Sequence, residues 1–422
     1  MLIACLWAVS CTAQQVVPVV RQCLEANRPV GTARGIFPGC VAWSHAPEAA
    51  QWNGKDGLWF DDSHNSQELC DRMLERNVCT LAGTNNAKAA WKAIFRYFNT
   101  THGKGKKGYA RGEKIAVKIN NNNTSSHSDS PEINASPQMV LALLKSLVNE
   151  AGVPQENITV AEPSRYITDC LYNKCHTMFP GVRFVDNSGG DGRVKAEYSA
   201  DAMRYSVDNR RLARGIAVAF TEADYTINMA LLKGHNGQGV TLCGKNWYGA
   251  MSIDPDYRKN AHNNFGQDRD GRPKYVTFVD FMGHKDLGGK CLIWFIDALY
   301  GCKSVGGRPA PKWSMEPFNG NWPCSLLGSL DPVAIDMAGT DFLISQFPDM
   351  PDVNYSDMYL SEAAQADNAP SGTRYDPEGD GTYLQSLGTA EHWNNSSEKK
   401  YSRNFGAGNG IELVYVPVGQ SR

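Results

Sequence analysis

The densest run of chemistry-bearing side chains is Leu231 to Gly249, LLKGHNGQGVTLCGKNWYG, where Lys233, His235 and Lys245 are spaced by Gly234, Gly237, Gly239 and Gly244. Glycines let backbone amides approach a ligand, the lysines bring positive charge, and an imidazole exchanges a proton near neutral pH. That combination suits a small anion at which a proton is moved. His262, in KNAHNNFG, follows Lys245 by 17 residues. As a neutral imidazole it is a candidate ligand for nickel, zinc or copper. Lys118 in KIAVKIN, with Asn120 beside it, and Asn246 next to Lys245 add further groups able to hold a carboxylate or sulfate.

Other residues carry two readings each. Asp336 lies in an apolar run, Val333 to Ala338, where an ionised acid needs a partner such as one of these lysines. Asp297 ends the apolar run LIWFID. Each acid either orients a catalytic cation or satisfies buried backbone. His284, in FMGHKDLGG, reads first as a loop histidine held by hydrogen bonds. His45 has Trp43, Trp52 and Trp59 around it in sequence, a set that either closes a pocket and stacks on a sugar or packs in the core.

Several common signatures are excluded. Gly239-x4-Gly244-Lys245 matches most of a phosphate loop, but Asn246 stands where a magnesium-binding Ser or Thr is required. The acidic loop beginning at Asp376 starts like a calcium loop, yet Leu387 occupies the position of the bidentate Glu. No Gly-x-Ser-x-Gly or His-Glu-x-x-His motif occurs.

These residues need elements to position them. Lys114 to Asn120 has the character of a strand; Ser136-Pro137 opens a helix in which Met139, Val140, Leu143, Leu144, Leu147 and Val148 keep helical spacing; Asn157 to Ala161 is a second strand. The unit is a βαβ crossover with parallel strands. Further strands are expected at 183–185, 225–229, 292–296 and 411–416, with helices over 86–98 and from Asp331-Pro332 towards Phe347. Alternating strands and helices predict an α/β fold: a largely parallel sheet flanked by helices in three layers, with a Trp/Gly-rich N-terminal extension. The expected division is 1–13 leader, 14–110 N-terminal cap, 111–347 α/β core and 348–422 C-terminal extension with a final strand.

Composition bounds the function. With 42 Lys+Arg and 44 Asp+Glu among 422 residues the net charge is −2, which argues against a nucleic-acid binder. The short basic run Lys104 to Lys107 reads as a solvated loop. Met1 to Gln15 (MLIACLWAVSCTAQQ) resembles a shortened signal peptide, with cleavage after Ala13 or lipid attachment at Cys11, so the chain is expected to be exported, periplasmic or at the cell surface. No later run is apolar enough to span a membrane. Twelve cysteines, none in Cys-x-x-Cys spacing, favour disulfides over metal ligation, and Cys70/Cys79, Cys170/Cys175 and Cys291/Cys302 are near enough in sequence to pair.

The strand with VKIN, the ITVAEPS strand, the LKGH…TLCGKNWYG segment, His262, the strand ending in Asp297 and LDPVAIDMAGTDF together resemble, over roughly Gly35 to Phe347, the uncharacterised proteins of domain-of-unknown-function family 362. Many members carry a cluster-binding ferredoxin module whose Cys-x-x-Cys motifs this chain lacks. A more distant resemblance is to the nickel-pincer lactate racemase family, in the succession His235, Lys245, His262. It implies His235 as acid/base, Lys245 as the lysine that holds the cofactor covalently and His262 as a nickel ligand. Where the racemase has a second acid/base histidine this chain reads Glu162-Pro163-Ser164-Arg165, so two-base racemisation is not implied.

The expectation is therefore an exported enzyme of the racemase, epimerase or lyase kind acting on a sugar acid or hydroxy acid. Lys118, Lys233, Asn120, Asn246 and His45 would bind substrate, and Asp336 would orient a cation. The alternatives are a cell-surface glycan-binding protein using the three tryptophans, and a structural metal protein.

Overall fold

A computed structural model describes residues 24–207, 212–253, 262, 272–309, 312–350 and 354–419. The leader, including Cys11 and Ala13, lies outside these residues. At the centre is a sheet of ten strands. In chain order they are β1 (Cys40–His45), β2 (Ile115–Lys118), β3 (Ile158–Glu162), β4 (Arg183–Asp186), β5 (Val194–Lys195), β6 (Tyr225–His235), β7 (Gly239–Thr241), β8 (Cys291–Cys302), β9 (Ser325–Ser329) and β10 (Glu412–Pro417). Across the sheet they run β10-β1-β9-β8-β6-β2-β3-β4-β5, and β7 folds back on β6 as an antiparallel hairpin arm. The sheet is mostly parallel; β9 alone along this path runs against both neighbours.

Alternation along the strands divides the apolar residues between two cores. Cys40 and Ala42 of β1, Ile115 and Val117 of β2, and Ile227, Met229 and Leu231 of β6 face one core. Helices α1 (Gln67–Ala82), α2 (Ala87–Thr101), α3 (Pro137–Lys145) and α4 (Asp169–Met178) cover it. Val41, Trp43, Ala116, Ala230 and Leu232 face the other, covered by α5 (Thr277–Gly283), α6 (Pro332–Gln346) and α7 (Asn354–Ala364). Three layers result, as expected.

Local chemistry explains the helix starts. Ser66 accepts the Leu69 amide ahead of α1, and Asn86 accepts the Ala89 amide ahead of α2. Asp331 accepts the Val333 and Ala334 amides, with Pro332 at the first helical position of α6. From Pro332 to Leu343 α6 is buried on every side, its apolar residues interrupted by the buried polar Asp336, Thr340 and Asp341.

Three expectations are corrected. The 14–110 region is more than a cap, because β1 is an interior strand between β10 and β9. The strand expected at 225–229 continues to His235, so Lys233 and His235 are strand residues, not loop residues. None of the nine described cysteines forms a disulfide. Cys70 and Cys79 lie nine residues apart on α1, about 13 Å along its axis. Cys291 and Cys302 begin and end β8, roughly 36 Å apart. Cys170 and Cys175 point to different sides of α4. A disulfide needs Cα atoms within about 7 Å and converging Cβ vectors.

Candidate functional site

Strands β6, β2 and β3 are neighbours in register, Lys118 lying opposite Asn228 on one side and Ala161 on the other. Their C-terminal ends therefore bring Lys118, Glu162 and the Lys233–His235 segment to one edge of the sheet, the edge at which open α/β sheets bind ligands. A cavity of about 160 Å³ opens there, lined among others by Lys118, Arg165, His235, Lys245, Tyr248 and His262.

A buried polar network forms its floor. The Lys118 ammonium donates to Glu162 Oε2 at 3.0 Å, to the Ile119 carbonyl at 2.5 Å and to Asn246 Oδ1 at 3.2 Å. Asn120 donates to the same Asn246 oxygen at 3.1 Å and accepts from Lys233 Nζ at 3.1 Å. Asn246 in turn donates to Asn228 Oδ1 at 2.8 Å. Glu162 also accepts the Asn121 amide at 2.8 Å and the Ser164 hydroxyl at 3.1 Å. Gly249 closes over the ion pair, and a Cβ there would sit 2.7 Å from Glu162 Oε1 and 2.9 Å from Lys118 Nζ.

Burial sets the charge states. Desolvation lowers Lys118, which Glu162 partly restores. Lys233 is fully buried, and desolvation takes it down to about 8. His235 is pushed down to about 2 by burial and then by the neighbouring Lys245. It is thus a neutral imidazole at any working pH. Its Nδ1 lies 2.7 Å from the Asn236 carbonyl, which can only accept, so Nδ1 carries the proton and Nε2 presents a lone pair. His235 at rest is a hydrogen-bond acceptor and not an acid; the burial and the Lys245 charge that keep it neutral also make it a weak base until a bound anion offsets that charge. Thr241, on β7, lines the same cavity, and its buried hydroxyl has no hydrogen-bond partner among the described residues.

Lys245 and His262 meet at Tyr248. The Lys245 ammonium lies 5.4 Å from the Tyr248 ring centroid, and the His262 ring stands edge-on to it at 5.6 Å.

The structure thus gathers His235, Lys245, Lys118, Asn120, Asn246 and His262 around one cavity, with Lys233 behind Asn120. Two expected residues are elsewhere. His45 ends β1, three strand positions from β6, with Nδ1 3.0 Å from the Tyr415 hydroxyl. Asp336 touches no cation among the described residues; it accepts the Cys243 and Gly244 amides at 2.8 Å each and the Tyr359 hydroxyl at 3.0 Å. Its role is to hold the helical turn Cys243–Asn246 that carries Lys245 and Asn246. Asp297 likewise serves backbone, accepting the Ser136 and Leu299 amides. His284 donates from Nε2 to the Ala202 carbonyl and accepts the Asp286 amide at Nδ1, so both nitrogens are used. Trp43, Trp52 and Trp59 are 4%, 5% and 1% exposed and pack in the two cores, away from the cavity at the strand ends.

Glu162, Arg165, Thr241 and Tyr248 belong to the site although their types and spacing did not single them out. Glu162 ends β3, so the strand-end rule that drew attention to Lys118 applies equally to it.

These donors bear on the nickel-pincer group that the racemase resemblance implies. No three His, Cys, Asp or Glu side chains converge to hold a metal among the described residues. The one carboxylate of the described lining, Glu162, is committed to Lys118, and the other charged groups there are cations. Among the described residues a bare metal ion thus has no three-residue site, whereas the one lysine and one histidine that the racemase resemblance implies, Lys245 and His262, both line the cavity.

A mostly parallel sheet with helices on both faces and a polar cavity at its C-terminal strand ends defines an α/β protein with its cavity where such sheets take ligands. Within that class, the chain belongs to the Domain of unknown function (DUF362) family, whose model matches residues 115–341, just over half of the sequence. No curated protein matches it. The matched residues hold β2 to β9 and every residue of the cavity named above. No helix among the described residues is long and apolar enough to cross a membrane.

Proposed function

We propose that the chain is an enzyme that moves a proton at an oxygen-bearing carbon of a small carboxylate, such as a hydroxy acid or sugar acid. The observation that carries this is a neutral His235, its Nδ1 fixed by a carbonyl and its Nε2 lone pair available, in a cavity lined by Lys118, Arg165 and Lys245. With Lys118 paired to Glu162, Arg165 and Lys245 are the cations that favour a bound carboxylate and the enolate-like charge that develops when the adjacent carbon loses its proton. His235 takes that proton at Nε2, and the Thr241 hydroxyl, which has no partner among the described residues, suits a substrate hydroxyl group, while Asn120 and Asn246 hold the floor beneath it. A cavity of about 160 Å³ favours a substrate of a few heavy atoms over a polymer.

The test is solvent deuterium exchange followed by NMR across a panel of 2-hydroxy acids and sugar acids. Exchange at the carbon beside the carboxylate is expected with the native chain and is lost in His235→Gln. Absence of exchange across the panel overturns the reading; exchange that survives His235→Gln overturns the assignment of the base. Export is part of the same proposal and rests on the apolar Leu2 to Val9 run and the small residues after it. Protein from the native host should begin after Ala13 or at a lipidated Cys11, and an intact Met1 would contradict this.

A further inference from the structure

At the opposite edge of the sheet, where β8 begins, lies a second and larger cavity of about 490 Å³. Its volume is in the range that takes a drug-sized ligand. Its floor is apolar and buried: Phe98 of α2, Met282 of α5, Leu292 and Trp294 of β8, and Leu387 are each 4% exposed or less. Its mouth is formed by Thr101, His102, Tyr383 and Gln385, which are exposed.

One cation serves this cavity. Among the described residues the side chain of Arg34 donates one hydrogen bond, from Nη2 to the Ser386 carbonyl on the cavity wall, out of the five N–H donors a guanidinium carries. Burial lowers its pKa, and Asp331 and Tyr97 offset this only in part. Asp331 cannot form a close pair with the guanidinium. Its Oδ1 is taken by the Val333 and Ala334 amides and its Oδ2 by the Arg34 and Thr389 backbone amides. His102, stacked on Phe98 with Nδ1 2.8 Å from the Phe98 carbonyl, is neutral or positive and so offers no counter-charge. A half-buried guanidinium with one carbonyl partner and unused donors, beside an apolar space and with Asp331 as a neighbouring but not hydrogen-bonded counter-charge, can accept a further anion.

We infer that this cavity is a second ligand site, built for an amphipathic carboxylate whose charge meets Arg34 and whose apolar body lies against Phe98, Leu292 and Trp294. It shares no residue with the strand-end cavity around His235 and is independent of the reaction assigned there.

The test is isothermal titration of the full chain with decanoate and with decanol, which share an apolar body and differ in charge. Decanoate is expected to bind at one site per chain and decanol about tenfold or more weaker. Arg34→Met should remove that preference and Arg34→Lys should keep most of it, which separates the charge from any effect on folding. Lys245→Ala should bind decanoate like the native chain. Equal binding of the two probes to the native chain, no decanoate binding at all, or a preference lost in Lys245→Ala but kept in Arg34→Met, would each overturn the assignment.

Discussion

Lys233 and His392 are buried cations with opposite surroundings, and they pull stability in opposite directions as pH rises. Lys233 has the Asn120 carboxamide beside it, and its folded pKa of about 8 lies below the unfolded value near 10.5. Between those values the unfolded chain binds more protons, so this group makes stability rise with pH by about 3 kcal/mol in all. His392 is buried too, which alone would lower it, but Asp341 and Asp357 at its two ring nitrogens raise it to about 10. Its contribution is complete below about 6.5 and is lost as pH climbs through 10. Urea unfolding at pH 6, 8 and 10 separates the two. Lys233→Met should match or exceed native stability at pH 6 to 7 and lose that advantage by pH 10. His392→Gln should be weaker than native at pH 6, with the gap closing by pH 10. A gap that stays constant with pH in either variant removes the corresponding assignment. Neither behaviour is legible from the residues in sequence: His392 meets Asp341 and Asp357 across 51 and 35 positions, and Lys233 reaches Asn120 across 113.

At the scale of elements, the site depends on groups that never touch the cavity's contents. Asp336, on α6, uses both oxygens to hold the two amides that begin the turn bearing Lys245 and Asn246. Asp336→Ala leaves both amides buried and without their acceptor, an expected loss of about 2–4 kcal/mol in denaturant unfolding, with weakened substrate binding beside it. Native-like stability in Asp336→Ala would show that the turn is held otherwise. Gly249→Ala acts on the other wall: its methyl would have to part Lys118 from Glu162, so a destabilisation of about 1–3 kcal/mol is expected by the same measurement. Lys118→Met in the same background should add little further loss if the ion pair is what the methyl disturbs. Elements with strong local signals were readable, namely the βαβ unit from Ile115 to Glu162, α2 behind Asn86, and α6 behind Asp331-Pro332. Strands β1 (CVAWSH) and β9 (SLLGS) were not. Both are buried on two faces and so lack alternation, and β9 carries Gly328, where a Cβ would lie 2.0 Å from Asn77 Oδ1 of α1.

At the scale of the molecule, the matched family segment does not contain a closed set of interactions. Removing residues before 115 and after 341 takes away β1, the pairing partner of β9, and β10 beyond it. It also strips α1 and α2 from one core and α7 from the other. Buried acids inside the segment would lose their partners: Asp331 the Arg34 and Thr389 amides, Asp336 the Tyr359 hydroxyl, Asp341 His392 and the Tyr401 hydroxyl. Strand β9 would then present an unpaired apolar edge, an invitation to aggregation. A fragment of residues 115–341 is therefore expected to show no cooperative unfolding transition and to elute as aggregate in size-exclusion chromatography. The full chain should unfold cooperatively under the same conditions. A monomeric fragment with a cooperative transition would mean that the flanking strands decorate a self-sufficient sheet. Failure of the fragment would place the folding unit at the scale of the whole sheet, with the cavity around His235 dependent on strands more than 70 residues outside the Lys118–Val305 span that lines it.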